Sequence, residues 1–178
     1  MQNRVSADRP LWHRRLRQLG LILLVLAPQA VLAAPTVPVI HGWVEWATLE
    51  PDNLQLEAKF DTGAETSSLD ADHLRLSEHD GKEWATFELQ AAQDGHSVTR
   101  TLAFPVTRWV RIRSAAGLDR RPVVRMRVCV GHQEIDAEFS LRDRSEMTYQ
   151  LLLGRRAISL LGPVDAGHTH LLGTCQLP

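Results

Sequence analysis

From position 40 onward, apolar residues recur at every second place in short runs, and this period of two restricts the fold more than any other feature of the chain. Such alternation buries one face of a pleated strand and wets the other, so the chain builds sheets. Eight runs fit: 40–46, 54–60, 83–91, 97–106, 109–114, 122–130, 133–141 and 148–153. Turn residues separate them, notably Asp94-Gly95, Ala116-Gly117-Leu118-Asp119 and the tight Gly131-His132, which suits a hairpin. Helical spacing is confined to 71–76 and 155–161, the second closed by Gly162-Pro163. Many short strands with so little helix favour a sheet that closes or folds over. The expected class is all-β, a small closed β-barrel with one or two short helices.

The first 33 positions stand outside that pattern and read as a secretory leader. Arg14, Arg15 and Arg17 make a positive start, 19–27 an apolar centre, Pro28 a break, and Val31-Leu32-Ala33 supplies small residues where cleavage occurs. The apolar run falls short of the roughly 20 residues that a helix needs to cross a bilayer, so no stable membrane anchor is expected after cleavage. Positions 34–41 read as a linker and 42–178 as one domain, with the mature protein periplasmic or secreted. At 178 residues, 44% hydrophobic and 23% charged, the chain is neither collagen-like, disordered nor disulfide-dense.

Removing 33 of the 178 residues leaves 145, with 15 basic and 20 acidic side chains and a net charge near -5. That balance offers no global field for nucleic acid, and no nucleic-acid partner is expected. The charges are unevenly spread. Positions 45–94 carry thirteen acids against Lys59, Arg75 and Lys82, whereas 100–127 holds eight arginines and only Asp119 as an acid. Export implies an oxidising compartment, where Cys129 and Cys175 either form a bridge that ties down the tail or remain one buried and one loose thiol.

Chemistry concentrates where the second run ends, in Leu56-Glu57-Ala58-Lys59-Phe60-Asp61-Thr62-Gly63-Ala64. Such a turn holds a carboxylate at an open position, lets another backbone approach Gly63 closely, and uses the Thr62 hydroxyl to fix the loop. Asp and Gly after a strand are by themselves ordinary turn residues. A second element adds weight: Leu151-Leu152-Leu153-Gly154-Arg155, an apolar strand that stops at Gly and enters a helix.

At these two segments the sequence resembles the retropepsin-like aspartic peptidases, marked by a hydrophobic residue before Asp-Thr-Gly-Ala and a later hydrophobic pair before Gly-Arg. The stretch 128–155 also looks like the second half of a retroviral protease subunit. A closer resemblance is to a bacterial family labelled ATP-dependent zinc proteases. It runs through Ala58-Lys59-Phe60-Asp61-Thr62-Gly63-Ala64-Glu65-Thr66-Ser67-Ser68-Leu69, Arg121-Pro122-Val123 and Arg142-Asp143-Arg144-Ser145-Glu146-Met147.

The resemblance implies a small retropepsin-like barrel subunit that works as a homodimer, Asp61 facing its twin. Two adjacent carboxylates do not both ionise easily, so one keeps a proton while the other acts as base on a water. One motif supplies half of that pair. Asp165-Ala166-Gly167 follows the Gly-Arg element instead of preceding one and reads as a turn. Asp61 is therefore the expected catalytic acid and base, supported by Thr62 and Gly63. By its order in the resemblance, the hairpin 114–121, with Gly117 near its tip, should cover the cleft. Ala64, Arg113, Gly117 and Arg121 are expected to meet the substrate. Arg108, Arg111, Arg120, Arg125 and Arg127 add to a basic hairpin that suits an acidic peptide; the competing reading is a solvated strand pair balanced by the acids of 45–94.

Relatives in that family carry a basic residue after Asp-Thr-Gly-Ala and a histidine after Ser-x-Leu, where this chain has Glu65 and Asp70. These added acids are expected to alter protonation or specificity at Asp61. No cofactor and no metal are expected: His-Glu-x-x-His, Cys-x-x-Cys and the Gly-x-x-x-x-Gly-Lys phosphate loop do not occur. His168-Thr169-His170 lacks a third ligand and reads as a loop, while His73 and His79 read as solvated residues flanking a surface helix. Ser145 and the cysteines lack the context of a nucleophile. Two functions follow: an exported, homodimeric aspartic endopeptidase, or a catalytically silent peptidase-fold module that grips an anionic peptide or envelope component.

Overall fold

The computed structural model describes residues 38–114 and 117–176, the side chains of Arg113 and Ser114 excepted; the expected leader, and the expected linker up to position 37, lie outside the described residues. The described elements run β1 (His41–Gly42), β2 (Val44–Leu49), β3 (Leu54–Phe60), β4 (Ser67–Asp70), β5 (Asp72–His79), β6 (Lys82–Gln93), β7 (His96–Pro105), β8 (Arg108–Ser114), β9 (Gly117–Val130), β10 (Gln133–Arg142), β11 (Leu151–Leu153), α1 (Arg155–Leu161) and β12 (Val164–Asp165). This is the all-β class expected from alternation, with one short helix among the described residues.

Six of these strands pair in a closed ring. β11 runs parallel to β3, Leu151 opposite Ala58 and Leu153 opposite Phe60, and antiparallel to β4, with Leu151 opposite Leu69. β4 lies parallel to β10, β10 antiparallel to β9, β9 to β2, and β2 back to β3. Alternation explains the packing. In β3, Leu54, Leu56, Ala58 and Phe60 are buried and the residues between them are half-buried. Leu49, Leu69, Phe139, Leu141, Leu151 and Leu153 are all lost from solvent in the same core. Each such leucine or phenylalanine contributes about 1.5–3 kcal/mol.

Two extensions leave the ring. β6 is flanked by β5 and β7 and meets the ring where Ala92 lies opposite Gln55. The first half of β9 pairs with β8, from Gly117 opposite Ser114 to Val123 opposite Arg108.

The structure corrects the helix expected at 71–76, which belongs to β5. Leu74 and Leu76 are two residues apart, and β6 presents a strand edge that pairs with β5 at Asp72 and from Arg75 to His79. Tertiary pairing thus overrides a short helical pattern. The pairing is irregular: the register shifts between Asp72 and Arg75, where His73 takes a positive φ of 52°. The run 40–46 breaks at Trp43 and continues to Leu49, and the run 148–153 narrows to β11. Before β11 the backbone is engaged elsewhere, since the Tyr149 carbonyl accepts Arg144 Nε and the Gln150 carbonyl accepts the Asp70 N–H.

After α1 the chain returns to the start of the domain. β12 pairs in parallel with β1, the Trp43 N–H donates to the His168 carbonyl, and the His170 N–H donates to that of Val44. Glu45, fully buried, organises this return. Its Oε1 accepts the N–H groups of Gly42 at 2.7 Å and Leu171 at 3.0 Å, and its Oε2 accepts that of Leu172 at 3.3 Å. A buried carboxylate is tolerated when donors surround it in this way. Cys129 and Cys175 form a disulfide, the bridged one of the two states that the sequence left open. The tail lies close over Gly131, where φ is +59° and a Cβ would stand 2.8 Å from Leu172 Cδ1.

Two outcomes are expected. The bridge spans a separation of 46 residues, so Cys175→Ser should lower the free energy of urea unfolding by about 2–4 kcal/mol; an unchanged midpoint would show that the tail holds without it. His41 is fully buried against Phe60, ring centroids 5.2 Å apart, and burial pushes its imidazole below the ordinary value despite the opposing Glu45 charge. Below about pH 6.5 the unfolded chain then binds a proton that the folded one resists, so stability falls with pH through that range until the folded imidazole also titrates. His41→Leu should flatten this slope in urea midpoints measured against pH, and an unaltered slope would assign it to other histidines.

Candidate active site

Asp61 directly follows β3, and its position is set by backbone contacts. The Phe60 N–H donates to the Trp43 carbonyl at 2.9 Å, and the Asp61 N–H donates to the Leu153 carbonyl at 2.8 Å. The turn then closes on its own carboxylate: the Gly63 N–H donates to Asp61 Oδ1 at 2.9 Å, and the Ala64 N–H to the Asp61 carbonyl at 3.2 Å. A Cβ on Gly63 would lie 3.1 Å from Asp61 Oδ1, which accounts for glycine there. Thr62 and Gly63 are exposed, Asp61 and Ala64 half-buried. The structure thus brings Asp61, Thr62, Gly63 and Ala64 together in one open turn.

The element after β11 holds that turn in place. Arg155 Nη1 donates to the carbonyls of Thr62 at 2.9 Å and Gly63 at 3.0 Å, and its backbone N–H donates to that of Ala64 at 2.9 Å. Gly154 allows the approach, because a Cβ there would stand 2.7 Å from the Thr66 carbonyl carbon. The Gly154 N–H donates to the buried Ser67 Oγ at 3.1 Å, and Ser140 Oγ donates to the Ser67 carbonyl. The roles of Arg155 and Ser67 escaped the sequence reading. The Gly-Arg pair marked Arg155, but no local pattern announces that its guanidinium clamps two carbonyls more than ninety residues earlier.

The acids that depart from the relatives' pattern have partners of their own. Glu65 Oε1 accepts two hydrogen bonds from Arg156, at 2.7 and 3.1 Å, and this exposed pairing holds its carboxyl below the ordinary value. Asp70 is buried, which raises its pKa, while the Arg144 N–H donates to its Oδ1 at 2.6 Å. Arg144 is buried as well. Burial lowers its pKa first, then the charge of Arg142; Asp70, and more weakly Asp61, oppose this, while Arg121 adds to the lowering. Arg144 thus lies within electrostatic reach of both Asp61 and Arg121.

In that hairpin Arg121 is buried, its Nε donating to Asp119 Oδ2 at 2.6 Å. Gly117 is exposed opposite Ser114, Arg113 stands opposite Leu118 with its side chain outside the described residues, and the tip at 115–116 lies outside them too. The neighbouring arginines are balanced mainly by β10 and not by the 45–94 acids. Arg108 donates to Glu138 Oε2 at 2.7 and 2.9 Å, Arg125 stands 3.7 Å from Glu138, and Arg127 pairs with Glu134. Arg120 stacks over the Trp109 ring at 4.2 Å.

One group of carboxylates among the described residues is compact enough to hold a cation: Asp70, Asp72 and Asp143, with oxygens within 4.8 Å of one another. Two of these acids already accept hydrogen bonds, Asp70 on Oδ1 from Arg144 and on Oδ2 from Gln150 Nε2 at 3.5 Å, and Asp143 on Oδ1 from the N–H and Oγ of Ser145. His168 faces Asp165 at 2.7 Å and His170 faces Glu57 at 3.0 Å, so the two histidines answer to different acids. The Asp165 turn closes through the Gly167 N–H, as its sequence implies.

A ring of strands that sets an Asp-Thr-Gly turn against a Leu-Gly-Arg element defines the retropepsin-like class. The RimB-like family, described as "Retropepsin-like aspartic endopeptidase RimB", matches residues 40–173, and the chain belongs to that family. Relatives described as "Probable alpha-L-glutamate ligase" include one from Parasynechococcus marenigrum (strain WH8102), 33% identical over 140 residues, and one from Shewanella halifaxensis (strain HAW-EB4), 31% identical over 136. These alignments take in 78% and 75% of this chain but only 30% of either relative. A crystal structure of a Legionella pneumophila protein of unknown function is similar with a TM-score of 0.63 and 31% identity, over 76% of this chain and 99% of that one.

Gly154→Ala should force the backbone of Thr66 aside and cost about 1–3 kcal/mol, as overpacking does. Amide shifts confined to 61–66 would locate the damage at the Asp61 turn, whereas a silent substitution would show that the approach at Gly154 is dispensable.

Proposed function

We propose that this chain is one subunit of an exported aspartic endopeptidase that hydrolyses acidic peptides as a homodimer. The observation that supports it most is the fixed Asp61 turn, in which Oδ1 accepts the Gly63 N–H while Oδ2 takes no partner among the described residues. In the proposed dimer, the two Asp61 side chains share one proton because adjacent carboxylates resist double ionisation. The ionised one removes a proton from water as the oxygen attacks the peptide carbonyl, and the protonated one donates to the carbonyl oxygen. Collapse of the resulting diol delivers a proton to the amide nitrogen and breaks the C–N bond.

A buried arginine favours an acidic substrate. Arg144 is buried and its charge interacts with that of Asp61, and a desolvated cation rewards a carboxylate more than it does in water. A second reading draws on the relatives. Because the match takes in 30% of proteins described as glutamate ligases, the domain also suits a module that binds a glutamate-bearing peptide without cleaving it.

The test is cleavage of an unbiased peptide library from acid to neutral pH by the mature form, with its mass followed by sedimentation. A dimer that cleaves, and an Asp61→Asn variant that folds but loses roughly 10²–10⁴-fold in rate, is the expected result. A monomer that binds acidic peptides and cleaves nothing would favour the module instead. Arg144→Met should lower kcat/KM for acidic peptides about tenfold or more while sparing neutral ones; equal losses on both would remove Arg144 from specificity.

A further inference from the structure

We infer that the groove between the start of β3, the centre of β6 and the loop before β11 is a second ligand site, shaped for a neutral saccharide. It encloses about 430 Å³, within the range of roughly 300–1,000 Å³ typical of small-molecule sites. Gln55 and Glu57 lie in it, six and four residues before Asp61 on a strand that rises about 3.3 Å per residue, so the groove begins roughly 13 Å from Asp61 and extends to roughly 20 Å along the strand.

Its lining selects against charge. No lysine or arginine contributes, which removes the usual partner of an anion, and its single carboxylate, Glu57, has His170 Nε2 3.0 Å away. Beside four small or apolar side chains, what remains is Gln55 and Gln90, Gln150, which also reaches Asp70 Oδ2 at 3.5 Å, several hydroxyls and two aromatic rings, Trp46 and Tyr149. The amides of Gln55 and Gln90 have no partner among the described residues. Each side-chain amide both donates and accepts, as does each sugar hydroxyl, so the two are matched in a way that neither an ammonium nor a carboxylate is. The C–H face of a pyranose is apolar and packs on an aromatic ring, while the polar groups around it stay hydrogen-bonded.

Both rings are also braced. Trp46 packs on His170 with centroids 5.1 Å apart, and Tyr149 meets the edge of Trp43 at 6.0 Å. Surfaces fixed before binding lose less side-chain freedom when a ligand arrives, which is what a weakly driven, uncharged ligand requires.

The probe is the trimer of N-acetylglucosamine, whose acetamido groups and hydroxyls offer both kinds of partner, titrated into the mature protein by calorimetry and by tryptophan fluorescence. Saturable binding is expected, with a change in tryptophan fluorescence that Trp46→Phe removes. Gln55→Ala/Gln90→Ala, two exposed or half-buried changes checked for folding by circular dichroism, should weaken it about tenfold or more. Asp61→Asn should bind as the unaltered protein does, which separates this site from the peptidase reading. Absence of binding up to the solubility limit, or binding indifferent to the two glutamines, would overturn the inference. So would stronger, glutamine-dependent binding of an uncharged glutamine-rich peptide, since the groove would then be a peptide site.

Discussion

The parallel pairing of β11 with β3 is the contact on which the rest of the structure depends. Three residues make it, yet it closes the ring and presents the Leu153 carbonyl to the Asp61 N–H. Directly after it, Gly154 lets the chain pass against Thr66, and Arg155 reaches back to the Thr62 and Gly63 carbonyls. None of this is local. Arg155 and Gly63 are 92 positions apart, and joining such distant segments costs chain entropy before any contact is made. Burial of Leu151 and Leu153, together with the backbone bonds of β11, offsets that cost.

Charge in this protein is arranged differently in space than in sequence. Acids dominate 45–94 and arginines 100–127, which suggests one half balancing the other. In the fold, β9 and β10 are neighbours, and Glu134 and Glu138 neutralise Arg127, Arg125 and Arg108 at short range. Arg125 and Arg127 are exposed, and pairs with such side chains are weak and screened, whereas Arg108 and Glu138 are both part-buried. Two arginines are removed from water, Arg121 and Arg144, and their surroundings include Asp119 and Asp70.

Much of the fold was legible because alternation is a backbone property that each strand carries by itself. β3, β7, β9 and β10 follow from it, while the Gly131-His132 hairpin and α1 follow from turn residues and from helical spacing closed by Gly162-Pro163. The Asp61 turn was equally legible, since its small residues and its carboxylate are contiguous. What escaped is what tertiary contacts decide. β4 and β12 are too short to show a period, and β5 was mistaken for helix because its partner edge belongs to another segment. Glu45 looked like one acid among thirteen, yet it is the carboxylate around which the tail folds. Nothing in the sequence marks Arg144 and Arg121 as buried, since burial depends on residues far off in the chain.

The return of the tail has a consequence for how such a domain is shared among proteins. β1 and β12 are hydrogen-bonded neighbours, but the chain runs on past them to the β9–β10 hairpin, where the Gln176 N–H donates to the Gly131 carbonyl and Cys175 is bridged to Cys129. Sequence joined after the tail would therefore start from that hairpin and leave the β11–β3 contact that sets Asp61 untouched. The matched stretch makes up only 30% of the relatives described as ligases, so in those proteins the same segment stands beside other sequence.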